Sequence, residues 1–70
     1  MESKIYFVIL NKPTLKFLEE NGNTTRFIQH AEHFLTISDA NKQIDILDNP
    51  EEYSVYKVTE YTEYSFELEE

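Results

Sequence analysis

Hydrophobic residues are nearly continuous over residues 4–10, KIYFVIL, and the run is closed by Asn11-Lys12-Pro13. A short run rich in β-branched and aromatic side chains is typical of a strand that is covered on both faces or central in its sheet. Residues 14–20, TLKFLEE, alternate as a strand would, although Pro13 before them and Gly22 after them would also suit a short helix. We favour a second strand that forms a hairpin with the first through a turn at residues 11–14, followed by another turn at Asn21-Gly22.

The next segment, residues 24–35, leaves two interpretations open. Phe27, Ala31 and Phe34 recur at helical spacing. The same residues could form a short turn that leads into a brief strand at residues 33–35.

The clearest helix of the chain is predicted after this segment. Thr36 is suited to accept hydrogen bonds from the free amides of a helix start, and Asp39 favours the positive end of the helix dipole. Asn49-Pro50 is predicted to end the helix, because the residue before a proline is pushed out of the α region. Ile46 would lie on the far side of the helix, either frayed or in contact with a partner. The predicted stripe against the sheet consists of Ile37, Ala40, Ile44 and Leu47.

The last patterned stretch, residues 53–68, reads YSVYKVTEYTEYSFEL and alternates with a period of two, which predicts β structure. A single strand of this length would span about 50 Å at roughly 3.3 Å per residue, so we expect a break near residues 59–62. The elements together predict one α+β domain over residues 1–70, with an antiparallel sheet of three to five strands and one helix packed on a face.

Charge is unevenly distributed along the chain, whose formal net charge is −8. Five acids and five bases cancel through residue 44, whereas nine acids from Asp45 onward are opposed only by Lys57. Such a field repels nucleic acid and anionic membranes and attracts basic surfaces. We therefore expect no direct nucleic-acid binding and no membrane association. The alternative is that the acids only keep a small protein soluble.

Most catalytic and metal chemistry finds little support in the sequence. The chain has no cysteine and one glycine, so it offers no thiolate and no phosphate-cradling loop. His30, Glu32 and His33 form H-x-E-H, which could contribute metal ligands on a helix, but we favour ordinary surface histidines. We expect no enzyme, no cofactor and no metal. The chain carries neither a membrane span nor a signal-peptide pattern, and we expect a cytoplasmic protein.

A pattern of A-x-x-F-x-T-x-x-D/E-A-x-x-x-I is matched by Ala31, Phe34, Thr36, Asp39, Ala40 and Ile44. With an apolar strand ahead and a tyrosine- and valine-rich strand behind, the chain resembles short proteins encoded by bacteriophages and prophages. The resemblance implies a small α+β fold and a phage or mobile-element origin, hence the cytoplasm of a bacterial host. In size and acidity the chain is also similar to anti-CRISPRs and other inhibitors of host defence.

Glutamates interleaved with aromatic rings near the C-terminus form the candidate functional surface. Tyrosine gives a large contact area at little entropic cost, and carboxylates beside it can pair with lysine or arginine of a partner. We expect a non-catalytic inhibitor that binds a basic surface of a host nucleic-acid enzyme. A DNA mimic would require the acids near the helix end to join the same surface, because one strand is too sparse in charge. The alternative is an accessory protein that self-associates through this strand. The predicted contact residues are Asp45, Asp48, Glu51, Glu52, Glu60, Tyr61, Glu63, Tyr64 and Glu67.

Overall fold

Over the residues that the structure describes, the fold is α+β, with one antiparallel five-stranded sheet and one α-helix that contacts it. The computed structural model describes residues 3–61 and 64–69. The strands lie in the order β3-β2-β1-β4-β5, so the first strand of the chain is central. The elements are β1 (Lys4–Asn11), β2 (Lys16–Leu18), β3 (Thr24–Thr25), α1 (Ile37–Asp45), β4 (Tyr53–Glu60) and β5 (Tyr64–Glu69), with 3₁₀-helices at Ile28–His30 and Pro50–Glu52.

The first hairpin confirms that residues 14–20 contain a strand rather than a helix, although the strand covers only Lys16–Leu18. β2 pairs antiparallel with β1, and Leu10 lies opposite Phe17. The turn is held by Asn11, whose Oδ1 accepts hydrogen bonds from the backbone N–H of Thr14 at 3.1 Å and from its hydroxyl at 2.9 Å. Asparagine side chains commonly accept backbone hydrogen bonds in turns in this way, where backbone groups have no partner on a neighbouring strand.

A second turn at Asn21-Gly22, also predicted, leads into β3. Gly22 has φ of +90°, a conformation that side chains disfavour. The Asn21 side chain accepts a 3.0 Å hydrogen bond from the backbone N–H of Asn23. β3 itself was not predicted, because two threonines after a turn carry too short a pattern to indicate a strand.

The ambiguous segment of residues 24–35 forms no α-helix in the described structure. After β3 it makes one 3₁₀ turn at Ile28–His30 and then passes alongside β1. Phe34 and Phe7 exchange two backbone hydrogen bonds of 2.8 Å. The interpretation as a short turn is therefore correct, while in place of the brief strand predicted at residues 33–35 the structure has a single bridge at Phe34.

The predicted helix forms, and its cap and apolar stripe are confirmed. Thr36 Oγ1 accepts a 3.1 Å hydrogen bond from the backbone N–H of Asp39. The prediction that Asn49-Pro50 ends the helix is wrong, because α1 already ends at Asp45. The N–H of Leu47 bonds to the C=O of Ile44 at 3.0 Å, a tighter i to i+3 bond that closes the last turn. Pro50 instead starts the second 3₁₀-helix.

The sheet buries both of its faces, and each face has its own core. On one side, which we call the helix face, α1 covers Ile9 and Val55. On the other side Ile28 and Ala31 pack on Tyr6, Val8 and Val58. Val8, Ile9 and Val58 are completely buried, which explains why β1 reads as a continuous apolar run.

The face opposite the helix is concave. The rings of Phe17 on β2 and Phe66 on β5 lie 6.0 Å apart and nearly parallel, at 15°. Their strands are separated by β1 and β4, which in a flat sheet would place them about 14 Å apart, at about 4.8 Å per strand. Twist of the sheet, together with side chains that lean toward each other, brings the two rings together across β1 and β4. We call this side the concave face.

Candidate partner-binding surface

β5 forms one edge of the sheet and presents two different faces. It pairs with β4 without interruption, from Glu60 opposite Tyr64 to Val55 opposite Glu69. Because side chains alternate along a strand, those opposite Val58 and Tyr56 lie on the concave face; these are Phe66 and Leu68, with Tyr64 in the same row. Ser65, Glu67 and Glu69 lie on the helix face.

The apolar side chains of β5 are only half covered. The exposed fractions are 46% for Tyr64, 47% for Phe66 and 44% for Leu68, and Tyr61, the residue after β4, is 58% exposed. Tyr64 leans against Phe66, with ring centroids 6.4 Å apart. Three neighbouring apolar side chains of one edge strand thus face solvent, while the carboxylates of the same strand point to the opposite face. Exposed apolar side chains of this kind suit protein contact.

The structure divides the predicted contact residues into two groups. Asp45 and Asp48 are exposed at the end of α1, and Glu51 and Glu52 form the 3₁₀-helix just before β4. Glu67 lies on the helix face, the side of the sheet that α1 covers. We call these five the helix-side acids. Glu60, Tyr61 and Tyr64 lie at the other end of β4, and Glu63 lies outside the described residues.

Glu51 and Glu52 are separated from Glu60 by the length of β4, whereas Glu67 lies on β5 opposite Lys57, partway along β4. Eight residues from Glu52 to Glu60 span about 26 Å at roughly 3.3 Å per residue. The structure therefore does not bring Glu60 together with Glu51 and Glu52 in a single patch. A DNA mimic needs that convergence, whereas a partner that lies along β5 can meet Glu67 and Tyr64 together.

Glu60 has an internal partner that the sequence did not reveal. The Tyr6 hydroxyl donates a 3.0 Å hydrogen bond to Glu60 Oε2. Burial of Tyr6 raises the pKa of its hydroxyl well above the ordinary value, and the bond to Glu60 raises this pKa further. One carboxylate of the predicted surface therefore also holds β1 to β4. Tyr6 lies in an apolar run that reads as pure core, so no sequence signal marked it.

The two histidines of H-x-E-H occupy different environments. The ring of His33 stacks on that of Tyr6 at 3.9 Å, and its Nε2, when protonated, donates to the C=O of Ile28 at 3.0 Å. His30 instead lies against Phe27, with ring centroids 5.6 Å apart. Within residues 3–61 and 64–69, no group of three histidine, aspartate or glutamate side chains is placed to hold a metal ion.

The concave face carries a small apolar groove of about 180 Å³, lined by Leu10, Phe17, Tyr56 and Phe66. Pockets for drug-sized ligands usually enclose about 300 Å³ or more. The groove is therefore too small for such a ligand but wide enough for one apolar side chain of a partner.

No helix in the described part of the chain is long and apolar enough to cross a membrane. Comparison of the chain with family models, curated proteins and solved structures gives no match.

Proposed function

We propose that the chain is a non-catalytic protein-binding module that uses β5 and the neighbouring acids to bind a basic protein surface. The observation that carries this proposal is the composition of β5, where half-exposed Tyr64, Phe66 and Leu68 occupy one face and Glu67 and Glu69 the other. Exposed aromatic rings supply contact energy on one face, while the carboxylates on the opposite face of the same strand select a cationic partner and speed its approach.

The helix-side acids support the same partner chemistry. Asp45, Asp48 and Glu51 are exposed, and Glu67 at the sheet edge lies on the face that α1 covers, opposite Lys57. A partner with a basic surface would therefore be attracted to this side of the molecule over about 10 Å at 0.1 M salt.

The resemblance to phage-encoded proteins suggests the kind of target. We propose a nucleic-acid enzyme of a bacterial host, because such enzymes carry basic surfaces for their phosphate backbone substrates. Binding there would inhibit the enzyme by blocking access of the nucleic acid, as expected for an anti-CRISPR or another anti-defence protein.

The experiment begins with capture of host proteins on the immobilised chain, followed by calorimetric titration of the purified partner. The test variant carries Glu67→Lys and Glu69→Lys, and the control carries Glu19→Lys and Glu20→Lys, which change the net charge equally but lie beyond β2. Glu60 is left intact because its reversal would also break the bond to Tyr6.

We expect the test variant to bind about tenfold more weakly and the control to bind as the wild type does. Binding should also weaken at 1 M salt, where charges are screened within about 3 Å. Equal binding by both variants would show that the partner does not recognise the acids of β5.

Self-association is the second candidate, because the same half-exposed apolar side chains of β5 could cover one another in a dimer. Sedimentation equilibrium over a range of concentrations distinguishes the two. A mass that rises with concentration and falls to that of a monomer in Phe66→Ser would favour self-association. A concentration-independent monomer mass supports the binding module.

A further inference from the structure

We propose that the outer edge of β5 binds an extended basic segment of the partner, which adds to the sheet as a sixth strand. In this segment cationic and apolar residues alternate. This inference rests on the proposed function and specifies how the partner is bound. Strand addition uses main-chain hydrogen bonds for affinity and alternate side chains for specificity.

The backbone of β5 is available for such pairing. Within the described residues β5 pairs only with β4, so every second residue directs its N–H and C=O away from the sheet. β5 is six residues long, whereas the opposite edge, β3, has two. The register with β4 is continuous, and no proline or bulge interrupts the strand. The common devices that prevent edge pairing are therefore missing from residues 64–69, apart from negative charge.

The side chains of β5 specify what the added strand must carry. An added strand continues both faces of the sheet. On the helix face its side chains would lie beside Glu67 and Glu69, and opposite charges on neighbouring strands attract. On the concave face they would lie beside Tyr64, Phe66 and Leu68 and would cover the exposed half of these side chains. The matching segment has lysine or arginine at every second position and apolar residues between them.

Charge also decides between this segment and a second copy of the chain. A two-fold axis perpendicular to the sheet would pair β5 with itself and keep each face continuous. Glu67 and Glu69 of both copies would then share one face, and like charges on neighbouring strands repel. A basic segment removes this repulsion, so it fits the edge better than a second β5.

The experiment uses the full chain and a blocked peptide of alternating lysine and valine, about eight residues long, the usual length of a strand. Binding is measured by titration, and the site is mapped by ¹⁵N-NMR. Two further peptides carry N-methyl groups, either on all lysine amides or on all valine amides. Because alternate N–H groups of a strand point to opposite sides, only one of these two sets faces β5.

We expect the unmodified peptide to bind and to cause chemical-shift changes concentrated in β5. One methylated peptide should bind with the same affinity as the unmodified peptide, and the other should not bind. Glu67→Lys with Glu69→Lys should weaken binding roughly tenfold and improve binding of a glutamate–valine peptide, while Glu19→Lys with Glu20→Lys should change neither.

Three results would overturn strand addition. Equal binding of both methylated peptides would show that no backbone pairing takes place. Equal binding of the glutamate–valine peptide to the wild type would show that charge does not select the segment. No peptide binding, in a sample that still binds its captured partner in a salt-dependent way, would disprove strand addition alone. If neither the peptide nor any basic partner binds, both strand addition and the proposed function are disproved.

Discussion

The Tyr6 hydroxyl reaches across 54 residues of sequence to donate a 3.0 Å hydrogen bond to Glu60. Tyr6 is buried near the start of β1, and Glu60 is the last residue of β4. The bond therefore closes the end of the central strand pair. The bond also holds the Glu60 carboxylate against the Tyr6 hydroxyl, on the face of the sheet opposite the helix.

Removal of this hydroxyl in Tyr6→Phe should lower the free energy of unfolding by about 1 to 2 kcal/mol, because a hydrogen bond to a carboxylate is lost. Urea denaturation at pH 7 measures the change. Tyr61→Phe, which removes a hydroxyl from an exposed ring, is the control and should stay within about 0.5 kcal/mol of the wild type.

The same bond predicts a loss of stability in alkali. The pKa of Tyr6 is higher in the folded chain than in the unfolded chain, because of burial and the contact with Glu60. Its contribution to stability is complete below the unfolded pKa of about 10 and decreases as pH rises above that value. We expect the difference in stability between the wild type and Tyr6→Phe to shrink above about pH 10. A difference that stays constant to pH 11.5 or so would contradict this linkage.

Glu32 has the opposite effect on stability at neutral pH. Burial raises the pKa of its carboxyl, and the nearby charge of Glu20 raises this pKa further. A carboxyl with a raised folded pKa stabilises below the unfolded pKa of about 4.3, and that contribution is lost as pH rises through the folded pKa. Glu32→Gln should therefore melt at a higher temperature than the wild type at pH 7, with a smaller advantage at pH 4. Glu51→Gln, a change at an exposed carboxylate, should leave the melting temperature nearly unchanged; an equal rise in both variants would argue against the assigned cause.

The contact across the sheet between Phe17 and Phe66 can be tested. Their rings are stacked at 6.0 Å although two strands lie between β2 and β5. A double-mutant cycle with Phe17→Leu and Phe66→Leu should give a coupling energy of about 0.5–1.5 kcal/mol. The same cycle between Phe17→Leu and Tyr61→Leu should give nearly none, and additive effects in the first cycle would mean that the rings are not in contact in solution.

Two isoleucines of β1 measure how much the helix contributes to the core. Ile9 is completely buried under α1, whereas Ile5, four residues earlier on the same face, is 53% exposed. Ile9→Ala should cost about 2–5 kcal/mol and could unfold so small a domain, while Ile5→Ala should cost less than about 1 kcal/mol. Circular dichroism during urea titration follows both variants. Similar costs would contradict the placement of α1 over Ile9.

The sequence was sufficient to predict most of the architecture because its strongest patterns are local. Three local patterns each predict the type of element. These are the apolar run of β1, the cap at Thr36 and the alternation after Tyr53. The end of α1 was less predictable, since the bond between Leu47 and Ile44 tightens the last turn and the helix ends at Asp45, five residues before Pro50. β3 depends on pairing with β2, which no local pattern of two residues can show.

The candidate site was only partly predictable for a related reason. Alternation correctly placed Tyr64 and Phe66 on one face, because the hairpin keeps even-numbered residues opposite one another. The distance between Glu52 and Glu60 depends on β4 being straight and fully paired, and the bond from Tyr6 depends on the register between β1 and β4. Both are properties of the assembled sheet rather than of any one segment.

The shortness of β3 limits what the open edge of β5 can build. Head-to-tail stacking of copies would join β5 of one molecule to β3 of the next, and each junction would rest on a strand of two residues. Filaments need such repeated, non-closing contacts. The molecule can therefore offer the six-residue edge of β5 to another chain, while its other edge, β3, is too short to support the growth of a fibre.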